Sequence, residues 1–149
     1  MRVVVQKVHS ATLSSENYSG NIAEGLLVTV GVGKLDTVAD MKYIAEKIVN
    51  LRVFKDDNGK ANLSLKDING EIMLVSNFTL QANAKRGTRP DFSHAMDPES
   101  AYKMYNDMLV YIKELGVKKV ERGDFGNHMH IETILDGPFN LVLESEGRT

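Results

Sequence analysis

Apolar positions along this chain recur at two different spacings, and the changes between them divide it into strands and helices. Residues 2–8 (RVVVQKV) and about 11–15 carry strand-like patterning, and a turn is expected around Tyr18–Asn21. Residues 26–32 (LLVTVGV) form a β-branched apolar run too short for a lone helix, as in a buried strand. From about Asp36 to Arg52 the spacing lengthens: Met41, Ile44, Ala45, Ile48 and Leu51 lie on one stripe of a helix. Asp56-Asp57-Asn58-Gly59 reads as a turn. Residues 71–76 (EIMLVS) return to the buried-strand pattern, and 81–96 form a polar loop. A second helix is marked at both ends. Asp97 caps it and Pro98 suits its first position. Ala101, Met104, Tyr105, Met108, Ile112 and Leu115 face inward, and Gly116 stands where a left-handed terminator belongs. Strand material at about 118–123, 128–135 and 139–144 follows. The expected fold is a single α+β domain over 1–149, with a mainly antiparallel sheet and two substantial helices.

Composition narrows the function classes. The 149 residues suffice for a packed core, and the absence of cysteine removes thiol nucleophiles, disulfides and thiolate metal sites together. No apolar stretch approaches the roughly 18 residues of a membrane span, and the first residues read as a strand rather than a secretory signal. A cytoplasmic location is expected. The formal net charge of −2 argues against broad, charge-driven nucleic-acid binding. A small local basic patch reading one RNA end remains compatible with it.

Familiar catalytic motifs fail. VTVGVGK resembles the end of a phosphate-binding loop, but Val28 stands where its first glycine belongs and Leu35 where a hydroxyl residue should follow Lys34. There is no GxSxG elbow and no HExxH. His128 and His130, with Glu132, share one face of a strand, a spacing that metal ligands and ordinary strand histidines both show. Asp56 and Asp57 are turn residues, and His9 and His94 are isolated. Any catalysis must therefore lean on backbone groups, hydroxyls or the substrate itself.

Several segments carry more. Ser76-Asn77-Phe78-Thr79-Leu80 follows a buried strand, and Asp136-Gly137-Pro138-Phe139 joins two late strands. Between them lie GTRPDF (Gly87 to Phe92) and GDFGNHM (Gly123 to Met129). In this order, together with MRVVVQKV and KIVNLRVF, they resemble the D-aminoacyl-tRNA deacylase family over essentially the whole chain.

The resemblance implies a homodimeric, β-barrel-like fold without a cofactor or metal, acting on D-aminoacyl-tRNA rather than DNA or a membrane. Ser76, Asn77, Phe78 and Thr79 would form the catalytic floor, with Gly137-Pro138, as a cis peptide, entering the partner's pocket as a chirality filter. Leu80, Phe92, Phe125, Gly126, Met129 and Phe139 would line the substrate site, Phe125, Gly126 and Met129 around the terminal adenosine. Lys85, Arg86 and Arg89 would meet tRNA phosphates. Backbone N–H groups near Phe78 and Thr79 would form an oxyanion hole, worth about 3–4 kcal/mol where such donors have been removed. Asn77 replaces a usual glutamine, Leu135 an asparagine and Asn140 a threonine, and Asn127 sits where alanine is common. Alternatives stay open: an aminoacyl-RNA or small-ligand binder of this fold without turnover, or a metal-dependent hydrolase on His128 and His130. Taken singly, SNFTL also reads as a strand end, DGPF as a plain turn and the lysine–arginine cluster as a solvated loop.

Overall fold

The first strand organises the sheet. In the computed structural model, which describes residues 1–145, β1 runs unbroken over Arg2–Ser14. Residues 146–149 of the expected domain lie outside the described residues. The break expected after residue 8 is a shift of register, not a turn. On one edge β1 pairs antiparallel with β3 (Gly25–Gly31) and, further along, with β2 (Ser19–Ile22). On its other edge it pairs antiparallel with β8 (His130–Glu144). β2 thus occupies the place where the sequence suggested only a turn.

The far side of the sheet is parallel. β3 pairs with β6 (Glu71–Ser76) and β6 with β7 (Val120–Arg122), both in parallel. The sheet is therefore mixed, where a mainly antiparallel one was expected. Parallel neighbours need a crossover. Here α1 (Val38–Asn50) lies in the crossover from β3 to β6, and α2 (Pro98–Glu114) in that from β6 to β7. A small hairpin, β4 (Phe54–Lys55) and β5 (Ala61–Leu63), closes around the expected Asp56–Gly59 turn, whose Asp56 carboxylate accepts from the Asn58 and Lys60 amides.

Both helices start where a side chain satisfies their free amides. Thr37 caps α1, and Asp40 returns the bond to the Thr37 amide at 2.8 Å. This capping box sets the start just past Asp36, whose carboxylate instead accepts from the Gly33 amide at 2.6 Å and binds the Met1 ammonium. α2 begins as the sequence predicts, with Asp97 accepting from the Ser100 amide at 2.9 Å, and Gly116 follows its end at φ +103°.

β3 and β6 are covered on both faces, which explains their continuous apolar runs. Leu26, Val28, Ile72 and Leu74 face the two helices through Ile44, Ile48, Met108 and Ile112. Leu27, Met73 and Val75 face the other way and pack with Val8, Ala11, Leu13 and Ile22. The sheet curls around this second cluster. The Tyr18 hydroxyl donates to Glu121 on β7, and the Arg122 guanidinium lies 3.7 Å from the Tyr18 ring centre. The result is nearly barrel-like.

β8 unites the strands expected at 128–135 and 139–144, although His128 itself precedes it. Val8 faces Leu135 and Gln6 faces Asn140, so Asp136–Phe139 bulges out of the ladder. That bulge was legible only as a turn because Asp, Gly and Pro favour turns anywhere.

Candidate active site

The Ser76–Leu80 segment is a sharp stop at the end of a buried strand. Asn77 continues the ladder by one bond, its amide donating to Val30 O at 2.7 Å. The chain then folds into a single 3-10 turn over Phe78–Gln81. Gly31 is required beneath it: a Cβ there would stand 2.7 Å from Leu80 Cβ. Gln81 fixes the far end by donating to Gly31 O at 2.7 Å.

Asn77 caps this turn through its side chain. Its Oδ1 accepts from the Thr79 amide at 3.2 Å and also from the Thr79 hydroxyl. Of the amides expected to form an oxyanion hole, that of Thr79 is therefore engaged, and that of Phe78 has no partner among the described residues. The Phe78 ring is 59% exposed and meets the 39%-exposed ring of Phe92 edge-on, with centres 5.1 Å apart. GTRPDF is thereby brought to the floor.

The Phe125–Met129 segment is held from two sides. Its own loop closes on Asp124, which accepts from the Ser15 hydroxyl at 2.6 Å, while the Asn127 amide donates to Asp124 O at 3.1 Å. The hydroxyl of Ser15, then the side chain of Asn127, keep the Asp124 carboxyl below the usual carboxylate range. Phe125 packs against Tyr102 and Tyr105 of α2, with centres 5.1 and 5.7 Å away. Gly126 adopts φ +79°, and Met129 turns back so that its sulfur lies 3.2 Å from the Asp124 amide.

Sequence reasoning missed Tyr105 as a fastener. Its buried hydroxyl donates to Leu74 O at 2.5 Å and accepts from the Gly123 amide at 3.0 Å, tying the end of β6 to the start of the Phe125 loop. Burial pushes its pKa up to about 12. Nothing in the helical pattern separates it from an ordinary core tyrosine.

At the bulge, Gly137-Pro138 is cis, as the resemblance implied, with Gly137 at φ +131°. Both residues are exposed, while Phe139 is half-buried against the main core. Lys7, opposite the bulge and only 7% exposed, places its ammonium 3.4 Å from the Asp136 carboxylate. This partner was also missed; the faint signal is a lysine continuing the inward series Val3, Val5. Among the described residues no hydrogen bond or ring contact joins Asp136–Phe139 to Ser76–Leu80 within the chain.

Lys85, Arg86 and Arg89 sit exposed on the 81–96 loop, which is closed by reciprocal backbone bonds between Asn83 and Asp91 at 2.8 and 2.9 Å. The rings of His128 and His130 meet edge-on at 4.9 Å, and no group of three or more potential metal ligands assembles among the described residues.

A curled α+β domain with a 3-10 turn at the end of a central strand is the class these features define. The chain belongs to the D-Tyr-tRNA(Tyr) deacylase family, whose profile matches residues 4–144. It is 48% identical over 147 residues to a D-aminoacyl-tRNA deacylase of Thermosipho africanus, covering 98% of each chain. It is 47% identical to one of Caldicellulosiruptor saccharolyticus, also over 98% of each. Among solved structures, one described as a c-Myc DNA unwinding element binding protein superposes with a TM-score of 0.91 at 35% identity, covering 97% of this chain and 98% of that one. A probable eukaryotic D-amino acid tRNA deacylase shares the fold, with a TM-score of 0.85 at 15% identity over 96% and 98% of the two chains.

Proposed function

We propose that this protein hydrolyses the ester between a D-amino acid and the terminal ribose of tRNA, releasing both. Membership of the deacylase family supports the reaction. The observation that carries the mechanism is the Phe78 amide, without a partner among the described residues and set just after a core strand.

Water adds to the ester carbonyl carbon, and negative charge gathers on its oxygen. The Phe78 N–H stabilises that charge; a lost donor of this kind costs about 3–4 kcal/mol of transition-state binding. The bond to the ribose oxygen then breaks, that oxygen takes a proton, and the free acid leaves. Thr79 is no nucleophile in this scheme. Its hydroxyl donates to an amide oxygen, which is not a base, so its own oxygen is left to accept a hydrogen bond from water. The neighbouring ribose 2′-hydroxyl helps to move the proton.

Handedness is sensed by the Gly137-Pro138 main chain of a second copy, held over the α-carbon. Such a wall excludes an L side chain and ignores the identity of a D one, so many D-amino acids, and glycine, pass. The exposed apolar residues of β8, with Ile134 at 60% and Val142 at 63%, supply an apolar surface for the homodimer. Phe125, Gly126 and Met129 hold the terminal adenosine beside Leu80, Phe92 and Phe139. Lys85, Arg86 and Arg89 meet acceptor-stem phosphates. The work is proofreading in the cytoplasm.

The test is hydrolysis of matched D- and L-aminoacyl-tRNA, with and without chelator. Selective loss of the D ester, indifferent to chelator, is expected. Equal loss of both esters, or tight RNA binding without turnover, would overturn the reading.

A further inference from the structure

Next to the reactive turn lies a cleft that the mechanism above touches only through Lys85. About 510 Å³ in volume and open to solvent, it is lined by the turn joining β3 to α1, which carries Lys34, by the loop after Gln81, which carries Lys85, and by His94. Backbone bonds fix its walls: the Lys34 amide donates to His94 O at 2.9 Å, and Asn83 Oδ1 accepts from the Lys85 amide at 3.1 Å.

The charges in the cleft divide into engaged and available groups. Arg2 is taken by Glu144 at 2.5 Å and by Leu80 O at 2.9 Å. Asp36 is taken by the Met1 ammonium and the Gly33 amide. Asp91 accepts from the Ser93 hydroxyl and amide, which, with the more distant charge of Lys34, hold its carboxyl below the usual range. Lys34 and Lys85 are exposed and form no ion pair among the described residues. In a chain of net charge −2, the cleft thus keeps Lys34 and Lys85 out of ion pairs among the described residues while Arg2 and Asp36 are engaged.

We propose that this cleft holds phosphate groups of the substrate's 3′ strand, with Lys34 and Lys85, from two different segments, neutralising them. The proposal rests on the deacylase reading for what brings RNA there. Position supports it. Gln81, in the cleft wall, ends the 3-10 turn that begins at Phe78, a separation of about 6 Å at roughly 2 Å rise per residue. A strand whose terminal ester lies on Phe78 therefore has backbone within reach of the cleft. Lys34 thereby joins Lys85 as an RNA-binding residue, contributed by a different segment.

The test is equilibrium binding of uncharged tRNA across a salt series, beside deacylation of the D ester. Lys34→Gln combined with Lys85→Gln should weaken binding about tenfold, as expected of paired exposed ionic contacts. It should also flatten the slope of log affinity against log salt by about 1.4, at roughly 0.7 per single-strand phosphate. Each single variant should show part of the loss, whereas Lys113→Gln on α2 should show neither effect. An unchanged affinity and slope in the double variant, or a full loss from Lys85→Gln alone, overturns the cleft. If wild-type protein binds tRNA in this lysine-dependent way but spares the D ester, the cleft stands and the deacylase reading falls.

Discussion

The turn after β6 and the bulge within β8 are both short and exposed, yet they are held in opposite ways. The first is an outgrowth of the core. Its strand is buried on both faces, its amide ladder runs on through Asn77, and the Tyr105 hydroxyl clamps its root. The second hangs from the outer strand of the sheet by the Lys7–Asp136 pair and the half-buried Phe139 ring. The contrast teaches a division of labour. The turn is made rigid by one chain alone. The bulge is left open on the surface, and in the proposed mechanism a second copy completes its setting.

The contrast breaks most visibly at the root of the floor. Leu74→Ala removes a fully buried side chain between β6 and the helices and should cost about 2–5 kcal/mol in urea denaturation. A loss under ~1 kcal/mol would show that the core does not stiffen the turn. Gly137→Ala probes the other region. At φ +131° an added Cβ would stand 2.8 Å from the Phe139 nitrogen, so the bulge must move. Stability should fall by only about 1–2 kcal/mol, while the ratio of D- to L-ester hydrolysis drops about tenfold. An unchanged ratio would remove the bulge from stereoselection.

Thr79→Ala sharpens the comparison within the floor. It should slow turnover less than tenfold, below ~1.4 kcal/mol. Complete loss of the reaction with substrate binding retained would make Thr79 the nucleophile.

Acid gives the mildest test. Hydrogen bonds, from the Ser15 hydroxyl at Asp124 and the Ser93 hydroxyl at Asp91, lower both carboxyl pKa values in the folded chain. A lowered folded value stabilises the structure above the unfolded pKa of about 3.9, and this stabilisation is lost as pH falls through the folded value. The Asn127 and Ser93 amide resonances should therefore shift below about pH 4, before those of β6. Simultaneous change throughout would contradict loops held by their own carboxylates.

Local signals carried much of this into the sequence. α2 was legible from Asp97-Pro98 to Gly116 because caps are chemistry between near neighbours. β3 and β6 were legible because burial on both faces writes an uninterrupted apolar run. Their parallel pairing was not, since a strand's partner is chosen far away in the chain. β4 and β5 were too short to impose a period. At the candidate site, the order of the segments pointed to the turn after β6, but Lys7 escaped because lysine is seldom buried. The Asn77 side chain escaped too: only its fold-back onto Thr79 reveals which amide stays available.

The antiparallel partnership of β1 with β8 links the opening of the described chain to its closing stretch. During translation this edge of β1 therefore stays bare until β8, far along the chain, has been made. Contacts of such long sequence separation slow folding and leave nascent chains prone to sticking. Pulse-labelled hydrogen exchange should find protection of β1 amides facing β8 arriving together with that of β8, and after that of β3.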